Sequence, residues 1–482
     1  MPRFDLIATS TFGLENVVAR ELQQLGYEDC KVTDGRVVFS GDEHDIARCN
    51  LWLRSADRVL IRVGEFPATD FGELFDRTID LPWAELLPID AQFPVKGRSV
   101  RSRLHAVPKV QGVTKKAIVE SLKKTHNRFR FDETGAEFVI EVSLLKDIAT
   151  LTIDTTGPGL HKRGYRAIVG TAPLRETMAA GLIQLSYWNT DRPLIDPFCG
   201  SGTIPIEAAM IGQNIAPGLQ RSFAAEDWPW IKRQIWKDAR TEARDLKKKS
   251  LPAPIMAYDH DPDAIRLSQR GATDAGVGGS IRFGVQEVSN LRTPLKYGCV
   301  ITNPPYGERL GEHEEIEAVY RIMGKTFATL DSWSVYVLTS HRRFEQLFGR
   351  RADRRRKLYN GRLECQYYQY QGPRPPRADD EVDDEVDDEV DDEQNTYDEQ
   401  AAHKEEAAFD ENDAGKAHLH EPIPLPTVAT AETSAMALES IVLPTAETPP
   451  VVDPCATFIA DCSEVQEAET LDVTHVADLL DN

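Results

Sequence analysis

Apolar and polar residues alternate along the chain in two different rhythms, which change near residue 156. Before that point, short β-rich runs accompany one amphipathic helical pattern, and two of the runs meet at Lys146-Asp147, a pair typical of a hairpin turn. This mixture predicts small α+β units. The helix is expected over residues 13–25, and the strands over residues 36–39, 59–63, 138–145 and 148–153.

Beyond residue 156, apolar runs of strand length alternate with helical patterns. Such alternation indicates βαβ units and predicts an α/β fold, with a mostly parallel sheet covered by helices on both faces. Ligands of such sheets bind at the carboxyl ends of the strands, so the residues that follow each run are candidates for chemistry. The predicted strands are residues 194–196, 255–259, 281–285, 299–303 and 334–339, and the predicted helices are residues 203–211, 263–273 and 314–330.

Charge also divides the chain. The net charge of the 482 residues is −22, but residues 372–482 alone hold 4 basic and 31 acidic residues. The first 371 residues hold the other 52 basic and 47 acidic residues and are mildly basic. The acidic segment repeats Glu-Val-Asp-Asp three times from residue 381 to residue 392 and has little apolar surface to bury. We therefore expect a disordered acidic tail over residues 373–482.

Several protein classes are disfavoured by what the sequence lacks. It contains no run of about 18 apolar residues, and its first residues lack the cationic and apolar segments of a secretory signal. The seven cysteines show no paired spacing, which disfavours a disulfide framework or a structural metal site. We therefore expect a cytoplasmic protein with no membrane span and no metal.

The first chemical motif joins a predicted strand to a predicted helix. It consists of Asp196-Pro-Phe-Cys-Gly-Ser-Gly-Thr203. Gly200 and Gly202 allow a tight turn and a close approach of the backbone to a ligand. The N–H groups at the start of the helix favour an anionic group such as a carboxylate. The spacing fits neither a phosphate loop, because no Lys follows, nor a dinucleotide fingerprint, and an ordinary strand–helix connection can also contain two glycines.

Acidic residues follow the next two strands. Asp259 ends the strand of residues 255–259, where a carboxylate can accept hydrogen bonds from both hydroxyls of a ribose. We assign Asp261, which precedes Pro262, to capping the next helix. Glu287 follows the strand of residues 281–285 and is in a position to reach the amino group of an adenine, although a single Glu at such a position is more often only solvated.

The third motif, Asn303-Pro304-Pro305-Tyr306, directly follows the strand-forming run Cys299-Val300-Ile301-Thr302. Two prolines fix the backbone and remove two N–H donors, which leaves carbonyl groups as acceptors. The side-chain oxygen of Asn303 and the carbonyl of Pro304 would then form a pair of acceptors for an –NH₂ group. Tyr306 offers a face on which a planar ring can stack. The motif therefore favours chemistry on an exocyclic amine.

Together, these motifs resemble those of class I S-adenosylmethionine-dependent methyltransferases that act on exocyclic amines. Two further segments, GPGLHKRGYR at residues 157–166 and RKLYNG at residues 356–361, resemble the bacterial THUMP-domain methyltransferases that modify guanine N2 in large-subunit (23S) ribosomal RNA. The similarity covers about residues 1–371. It implies a ferredoxin-like segment over residues 1–60, a THUMP RNA-binding domain over residues 61–156 and a Rossmann-like methyltransferase domain over residues 165–371.

The resemblance also implies S-adenosyl-L-methionine as the cofactor and transfer of its methyl group to guanine N2. Asn303, Pro304 and Tyr306 are the expected catalytic residues. The expected cofactor-binding residues are Asp196, Phe198, Cys199, Gly200, Gly202, Thr203, Asp259, Glu287 and Asn303.

Basic residues are concentrated in the predicted THUMP domain. Residues 96–130 contain 11 Lys and Arg and a single acidic residue, Glu120. Such a charge run is often only a solvated face, but this density in an acidic protein favours contact with RNA phosphates. A second basic stretch covers residues 342–362. The predicted RNA-binding residues are Lys96, Arg98, Arg101, Arg103, Lys115, Lys116, Lys123 and Lys124.

Other interpretations remain open from the sequence. The Asn-Pro-Pro-Tyr motif also occurs in adenine-N6 and protein glutamine-N5 methyltransferases, and the basic region favours RNA over protein. Transfer RNA guanine-N2 methylation is the nearest alternative to ribosomal RNA, because THUMP enzymes modify tRNA too. A non-catalytic RNA-binding factor in ribosome assembly is an alternative of a different class.

Overall fold

Two seven-stranded sheets organise the part of the chain that the structure describes. The computed structural model describes residues 3–165, 174–306 and 313–376. The tail expected over residues 373–482 lies outside the described residues from residue 377 onward, as does Arg166, the last residue of the segment 157–166. In the described part, no helix is long and apolar enough to cross a membrane.

The first sheet contains the strands of the first 154 residues. They are β1 (Phe4–Ser10), β2 (Lys31–Thr33), β3 (Arg36–Gly41), β4 (Ala56–Pro67), β5 (Val95–Val100), β6 (Ile140–Leu145) and β7 (Ile148–Asp154). Their order is β2-β3-β1-β4-β7-β6-β5, and the pairs are antiparallel except β5 with β6. The long strand β4 pairs with β1 and with β7, and it crosses residue 60, the expected boundary of the ferredoxin-like segment. One continuous sheet therefore spans both N-terminal segments.

Local sequence explains the connections of this sheet. Lys146 and Asp147 both have positive φ and join β6 to β7 in the two-residue hairpin that the sequence predicts. Asp42 and Asp45 form a reciprocal capping box at the start of the second helix. The helices are α1 (Glu15–Gln24), α2 (Glu43–Trp52), α3 (Phe71–Ile79), α4 (Trp83–Leu86) and α5 (Val107–His126).

The second sheet confirms the α/β fold expected from the alternating pattern. Its strands are β8 (Leu194–Asp196), β9 (Ile255–Asp259), β10 (Ile281–Val285), β11 (Cys299–Thr302), β12 (Ser334–Thr339), β13 (Arg354–Asn360) and β14 (Leu363–Tyr370). Their order is β10-β9-β8-β11-β12-β14-β13. β8 to β12 are parallel, and the β13–β14 hairpin adds two antiparallel strands at one edge. This is the Rossmann-like arrangement of class I methyltransferases.

Helices cover this sheet. They are α6 (Glu176–Gln184), α7 (Thr203–Gly212), α8 (Arg233–Asp245), α9 (Pro262–Asp274), α10 (His313–Phe327) and α11 (Phe344–Phe348), with short 3₁₀ turns at Ala224–Asp227, Gly278–Ser280 and Val288–Asn290. Three of them match the predicted helices to within a few residues. Apart from Thr203 and Glu207, the helix α7 is apolar, and it is almost completely buried, as expected for a helix between two packed layers.

Apolar side chains from one sheet enter the core of the other. Leu14, which directly precedes α1, and Val17 of α1 are fully buried in the core that surrounds the second sheet. In the opposite direction, Trp228 stacks on Phe138 with ring centroids 4.5 Å apart, and its indole N–H donates to the Glu137 carbonyl at 3.0 Å. The N-terminal segments and the second sheet therefore share a packed junction.

A buried ion pair lies at this junction. Arg163 and Glu207 of α7 are both almost fully buried and form two hydrogen bonds of 3.2 Å. The Arg163 guanidinium also donates to the carbonyls of Leu160 and Arg54, and the Tyr165 hydroxyl donates to Glu207 at 3.2 Å. Each charge is thus both paired and hydrogen-bonded, which is the condition under which burial of charge is tolerated.

We expect Glu207→Ala to lower the free energy of unfolding by about 3–5 kcal/mol, because it leaves the Arg163 charge buried without a partner. Glu242→Ala is the matched control: its partly exposed pair with Arg48 should contribute less than about 1 kcal/mol. Urea unfolding of both variants measures the difference. Equal destabilisation by the two substitutions would contradict the role assigned to the buried pair.

Candidate active site

Three polar residues meet at the carboxyl ends of adjacent strands. Asp196 is the last residue of β8, Asp259 is the last residue of β9, and Asn303 follows β11. Because β8 lies between β9 and β11 in a parallel arrangement, the three residues lie at the same edge of the sheet. This is the edge at which open α/β sheets bind their ligands.

Residues 197–202, which connect β8 to α7 and are here called the glycine turn, are stabilised by a hydrogen bond to Asp259. The Gly200 N–H donates to Asp259 Oδ2 at 2.9 Å, and the Asp261 N–H donates to Oδ1 at 3.1 Å. Gly202 has a φ of +80°, and a Cβ at this position would lie 2.3 Å from Ser268 Oγ. Only glycine fits there. The turn therefore keeps its backbone open to the space above the sheet.

Asp196 lies under the same turn and is almost fully buried. Its Oδ1 accepts hydrogen bonds from the Thr302 hydroxyl at 2.7 Å and from the Phe198 N–H at 3.2 Å. Burial raises the pKa of this carboxyl to about 7, an effect that the two hydrogen bonds oppose and nearby Asp259 reinforces. Thr302 was not predicted as a site residue, because a β-branched residue in a strand normally indicates only core packing.

A cavity of about 460 Å³ lies beside the glycine turn, within the size range of small-molecule sites. It combines carboxylates, backbone of the turn and apolar side chains, a donor and acceptor set that fits an amino-acid and nucleoside ligand. Asn303 is among its lining residues, so the first and third sequence motifs face one space. The others are Leu174, Asp196, Phe198, Cys199, Gly200, Ser201, Thr203, Ile204, Asp261, Asp263, Ala264 and Leu267.

Of the three acidic residues at the ends of β9 and β10, only Asp261 is among the lining residues of the cavity. Asp261 caps α9 as expected, with Oδ1 accepting from the Asp263 N–H at 2.8 Å, but it also lines the cavity. Asp259, which was assigned to ribose, lies below the turn with both oxygens bonded to backbone N–H groups. Glu287 is exposed after β10 and is absent from the described lining. A capping motif alone does not show that a carboxylate also faces a cavity.

The Asn-Pro-Pro-Tyr loop is fastened at two points. The Tyr306 phenol donates a hydrogen bond to Asn303 Oδ1. The Tyr320 hydroxyl of α10 donates to the Pro305 carbonyl at 2.8 Å and also contacts the Thr339 hydroxyl at 2.9 Å. The loop is thus held between its own tyrosine and the neighbouring helix, and one of the two predicted amine acceptors already has a donor.

Two side chains of the motifs, Tyr306 and Cys199, have raised pKa values that keep them protonated and uncharged at neutral pH. Burial, followed by the neighbouring Cys365 thiol, raises the pKa of the Tyr306 phenol well above its ordinary value. Burial also raises the pKa of the Cys199 thiol, and the charges of Asp196 and Asp259 add to the shift. Cys199 is therefore a protonated thiol at neutral pH and is unsuited to act as a nucleophile.

The predicted RNA-binding residues lie on β5, α5 and the loop between them. Lys115 is tied inward, because its Nζ donates to the Phe93 carbonyl at 3.0 Å and to Glu133 at 2.9 Å. Lys123 pairs with Glu120 at 2.9 Å. The others are exposed, and they are Lys96, Arg98, Arg101, Arg103, Lys116 and Lys124. In the described residues, no group of three or more His, Cys, Asp or Glu side chains is placed to hold a metal ion.

Three family models match successive parts of the chain. Residues 5–60 match the RlmL ferredoxin-like domain, residues 68–154 match the THUMP domain, and residues 163–369 match the RMKL-like methyltransferase domain. A candidate RNA methyltransferase of Bacillus subtilis (strain 168), YpsC, is 50% identical over 372 residues, which are 77% of this chain and 96% of YpsC. The chain belongs to the RMKL-like family of THUMP-domain methyltransferases. This confirms the family expected from the motifs.

Solved structures agree with the assignment. A "predicted N6-adenine-specific DNA methylase" from Listeria monocytogenes is 52% identical, with a TM-score of 0.74, and the match covers 77% of this chain and 97% of that one. The methyltransferase SMU.472, crystallised with S-adenosylhomocysteine, is 47% identical, with a TM-score of 0.74 and coverage of 78% and 100%. The family and this complex support the cofactor that the sequence implies, S-adenosyl-L-methionine.

We expect Asp261→Ala to weaken binding of S-adenosylhomocysteine about tenfold, because it removes a carboxylate that lines the cavity. The substitution also removes a helix cap, at a cost of about 1 kcal/mol of stability. Asp70→Ala is the matched control, since Asp70 caps α3 in the same way outside the cavity. Calorimetric titration should show weaker binding only for Asp261→Ala; equal affinities would remove Asp261 from the site.

We expect Asp196 to make stability depend on pH. The folded chain keeps a proton on Asp196 that the unfolded chain releases, because the pKa is about 7 in the fold and 3.8 ordinarily. The free energy of unfolding therefore falls as pH rises between these two values. The advantage of Asp196→Asn over wild type should grow across this window and level off above it, as measured by urea unfolding at each pH. The exposed Asp191→Asn should show no such trend.

Proposed function

We propose that this methyltransferase transfers the methyl group of S-adenosyl-L-methionine to the exocyclic N2 amine of a guanine in large-subunit (23S) ribosomal RNA. The observation that carries the proposal is the position of Asn303, which lines the cavity beside the glycine turn. An amine acceptor and a cofactor site thus share one space. The THUMP domain and the relative described as an RNA methyltransferase support an RNA substrate, and the resemblance of the motifs supports ribosomal RNA.

The cavity lining suits the two ends of the cofactor. Thr203 at the start of α7 and the N–H groups of the turn would receive the methionine carboxylate. Asp196 would receive the ammonium group, since its carboxylate lines the same cavity. Asp261 would accept hydrogen bonds from the ribose hydroxyls. The bound cofactor supplies a methyl group activated by a positive sulfonium.

Asn303 and Pro304 would prepare the amine. The lone pair of the guanine amine is delocalised into the ring, so the amine is a poor nucleophile. Two acceptors on its hydrogens, Asn303 Oδ1 and the Pro304 carbonyl, favour the rehybridised form whose lone pair faces the methyl group. No strong base is required, because the nitrogen becomes acidic only after methyl transfer. Positioning by the fastened loop would account for much of the rate.

Tyr306 would take part when the base arrives. The target base must leave its stack to reach the cavity, and its amine would donate to Asn303 Oδ1 beside the Tyr306 phenol or in its place, because an amide oxygen has two lone pairs. The Tyr306 ring would then hold the extruded base by stacking. The exposed basic residues of β5 and α5 would bind the RNA phosphates away from the cavity.

We expect Asn303→Ala to lower methylation of ribosomal RNA at least about 100-fold, because the amine loses its side-chain acceptor. Affinity for S-adenosylhomocysteine should change little. The exposed Asn290→Ala is the matched control and should retain full activity. Transfer of labelled methyl groups to ribosomal RNA from a strain that lacks this protein gives the rate, and nucleoside mass spectrometry identifies the product.

Tyr306→Phe separates the two parts of the tyrosine. It keeps the ring but removes the hydroxyl group that donates to Asn303 Oδ1, so activity should fall much less than in Tyr306→Ala.

Loss of N2-methylguanosine from ribosomal RNA of the deletion strain is the expected cellular result. Appearance of the methyl group on adenine N6, or on transfer RNA alone, would overturn the proposed substrate. Full activity of Asn303→Ala would overturn the mechanism.

A further inference from the structure

A second cavity lies where the N-terminal segments meet the β13–β14 hairpin. Its volume is about 510 Å³, and it is lined by Thr11, Phe12, Asp57, Arg175, Tyr359 and Gly361. Thr11 and Phe12 belong to the turn between β1 and α1, and Tyr359 and Gly361 belong to the hairpin. None of these residues has a part in the methyl-transfer chemistry described above.

The walls of this cleft are fixed by close backbone packing. Gly13, with a φ of +91°, approaches β13 so closely that a Cβ would lie 2.7 Å from the Lys357 carbonyl oxygen. The Arg356 guanidinium donates to the Gly13 carbonyl at 3.4 Å. Leu14, the next residue, is fully buried in the core of the second sheet. The turn that carries Phe12 is thus held firmly against the hairpin.

The cleft contains an exposed aromatic ring, which is unusual for a packed junction. Phe12 is 49% exposed, and its ring meets that of Tyr359 edge to face, with centroids 5.9 Å apart and an interplanar angle of 78°. Proteins bind unpaired nucleobases by stacking them on such rings. A second base would stack on the open part of Phe12, with Tyr359 closing one side.

Polar groups in the cleft complement a nucleotide. Arg175 contributes a guanidinium, which binds phosphate or stacks on a base. The Asp57 carboxylate accepts from the Thr177 hydroxyl at 3.2 Å and from the Thr11 hydroxyl at 3.5 Å. It keeps further lone pairs for a ligand, since a carboxylate has about four acceptor sites. A cation, an acceptor and a ring therefore surround one space.

Residues that line the cleft are neighbours of residues at the candidate active site. Arg175 directly follows Leu174, which lines the first cavity. On the other side, the side chain of Asn360, in the hairpin between Tyr359 and Gly361, faces the Tyr306 phenol, and that phenol donates to Asn303. One strand of RNA that reaches Asn303 would therefore pass this cleft.

We infer that the cleft binds a second unpaired nucleotide of the RNA substrate, by stacking its base on Phe12 and holding its phosphate with Arg175. This inference rests on the proposed RNA substrate and extends it: the N-terminal turn takes part in choosing the nucleotides that flank the methylated one. The cleft binds this nucleotide without a chemical step.

The test uses the full chain and a single-stranded hexaribonucleotide that contains 2-aminopurine, whose fluorescence falls when the base stacks. Wild type should quench the probe. Phe12→Ala should weaken its binding at least about fivefold, the effect of losing one stacked base, and Phe12→Trp should restore it. The control is Tyr187→Ala, an equally exposed aromatic residue (55%) near the amino ends of the strands.

Each outcome separates this inference from the proposed function. Unchanged probe binding by Phe12→Ala, or no binding by wild type, would overturn the cleft as a nucleotide site. If Phe12 controls probe binding but the enzyme methylates no ribosomal RNA, the cleft stands and the proposed substrate fails. With ribosomal RNA as substrate, Phe12→Ala should raise KM and leave kcat and S-adenosylhomocysteine affinity unchanged, which a purely structural role would not do.

Discussion

The structure depends on the buried pair between Arg163 and Glu207. Glu207 belongs to α7, the helix that begins at the glycine turn, and Arg163 reaches across to the Arg54 carbonyl before β4. One guanidinium therefore connects α7, the helix that begins at the candidate site, to the first sheet. Burying two charges costs free energy. The hydrogen bonds around Arg163 and Glu207 offset this cost, and they form only when the two sheets pack in this arrangement.

Above this anchor, the candidate site is built in layers. Asp259 holds the glycine turn from below through backbone N–H groups, and Asp196 is held by Thr302 from the neighbouring strand. The residues that face the cavity are carried by this layer. The same logic applies to the Asn-Pro-Pro-Tyr loop, which Tyr320 fastens from α10.

Much of this architecture follows from local sequence. The period of apolar residues predicts β8 to β12 and three of the helices, because each element buries a regular face. The hairpin β13–β14 was missed, since its run of Arg and Lys was interpreted only as a basic surface. In the fold, β13 is an edge strand, where charged side chains are favoured. Arg355 and Lys357 there pair with Glu345 and Glu364.

The site was predictable only in part, because its contacts join distant segments. The motifs locate the glycine turn and the Asn-Pro-Pro-Tyr loop, since each motif is contiguous. They do not reveal that Asp261 faces the cavity or that the Tyr306 phenol occupies Asn303. The first depends on how α9 packs against the glycine turn. The second depends on how the β13–β14 hairpin packs against Tyr306. Lys115 likewise carries a positive charge that suits contact with RNA. In the fold, however, its Nζ donates to the Phe93 carbonyl and to Glu133.

The absence of a side chain at Gly13 has a wider consequence. The backbones of Gly13 and Lys357 are in direct contact there. The turn between β1 and α1 therefore packs against β13 with no side chain between them. Close packing at Gly13 helps to fix the position of the first sheet relative to the cavity. Under the proposed function, an RNA would be selected by the length between its bound phosphates and its reacting base.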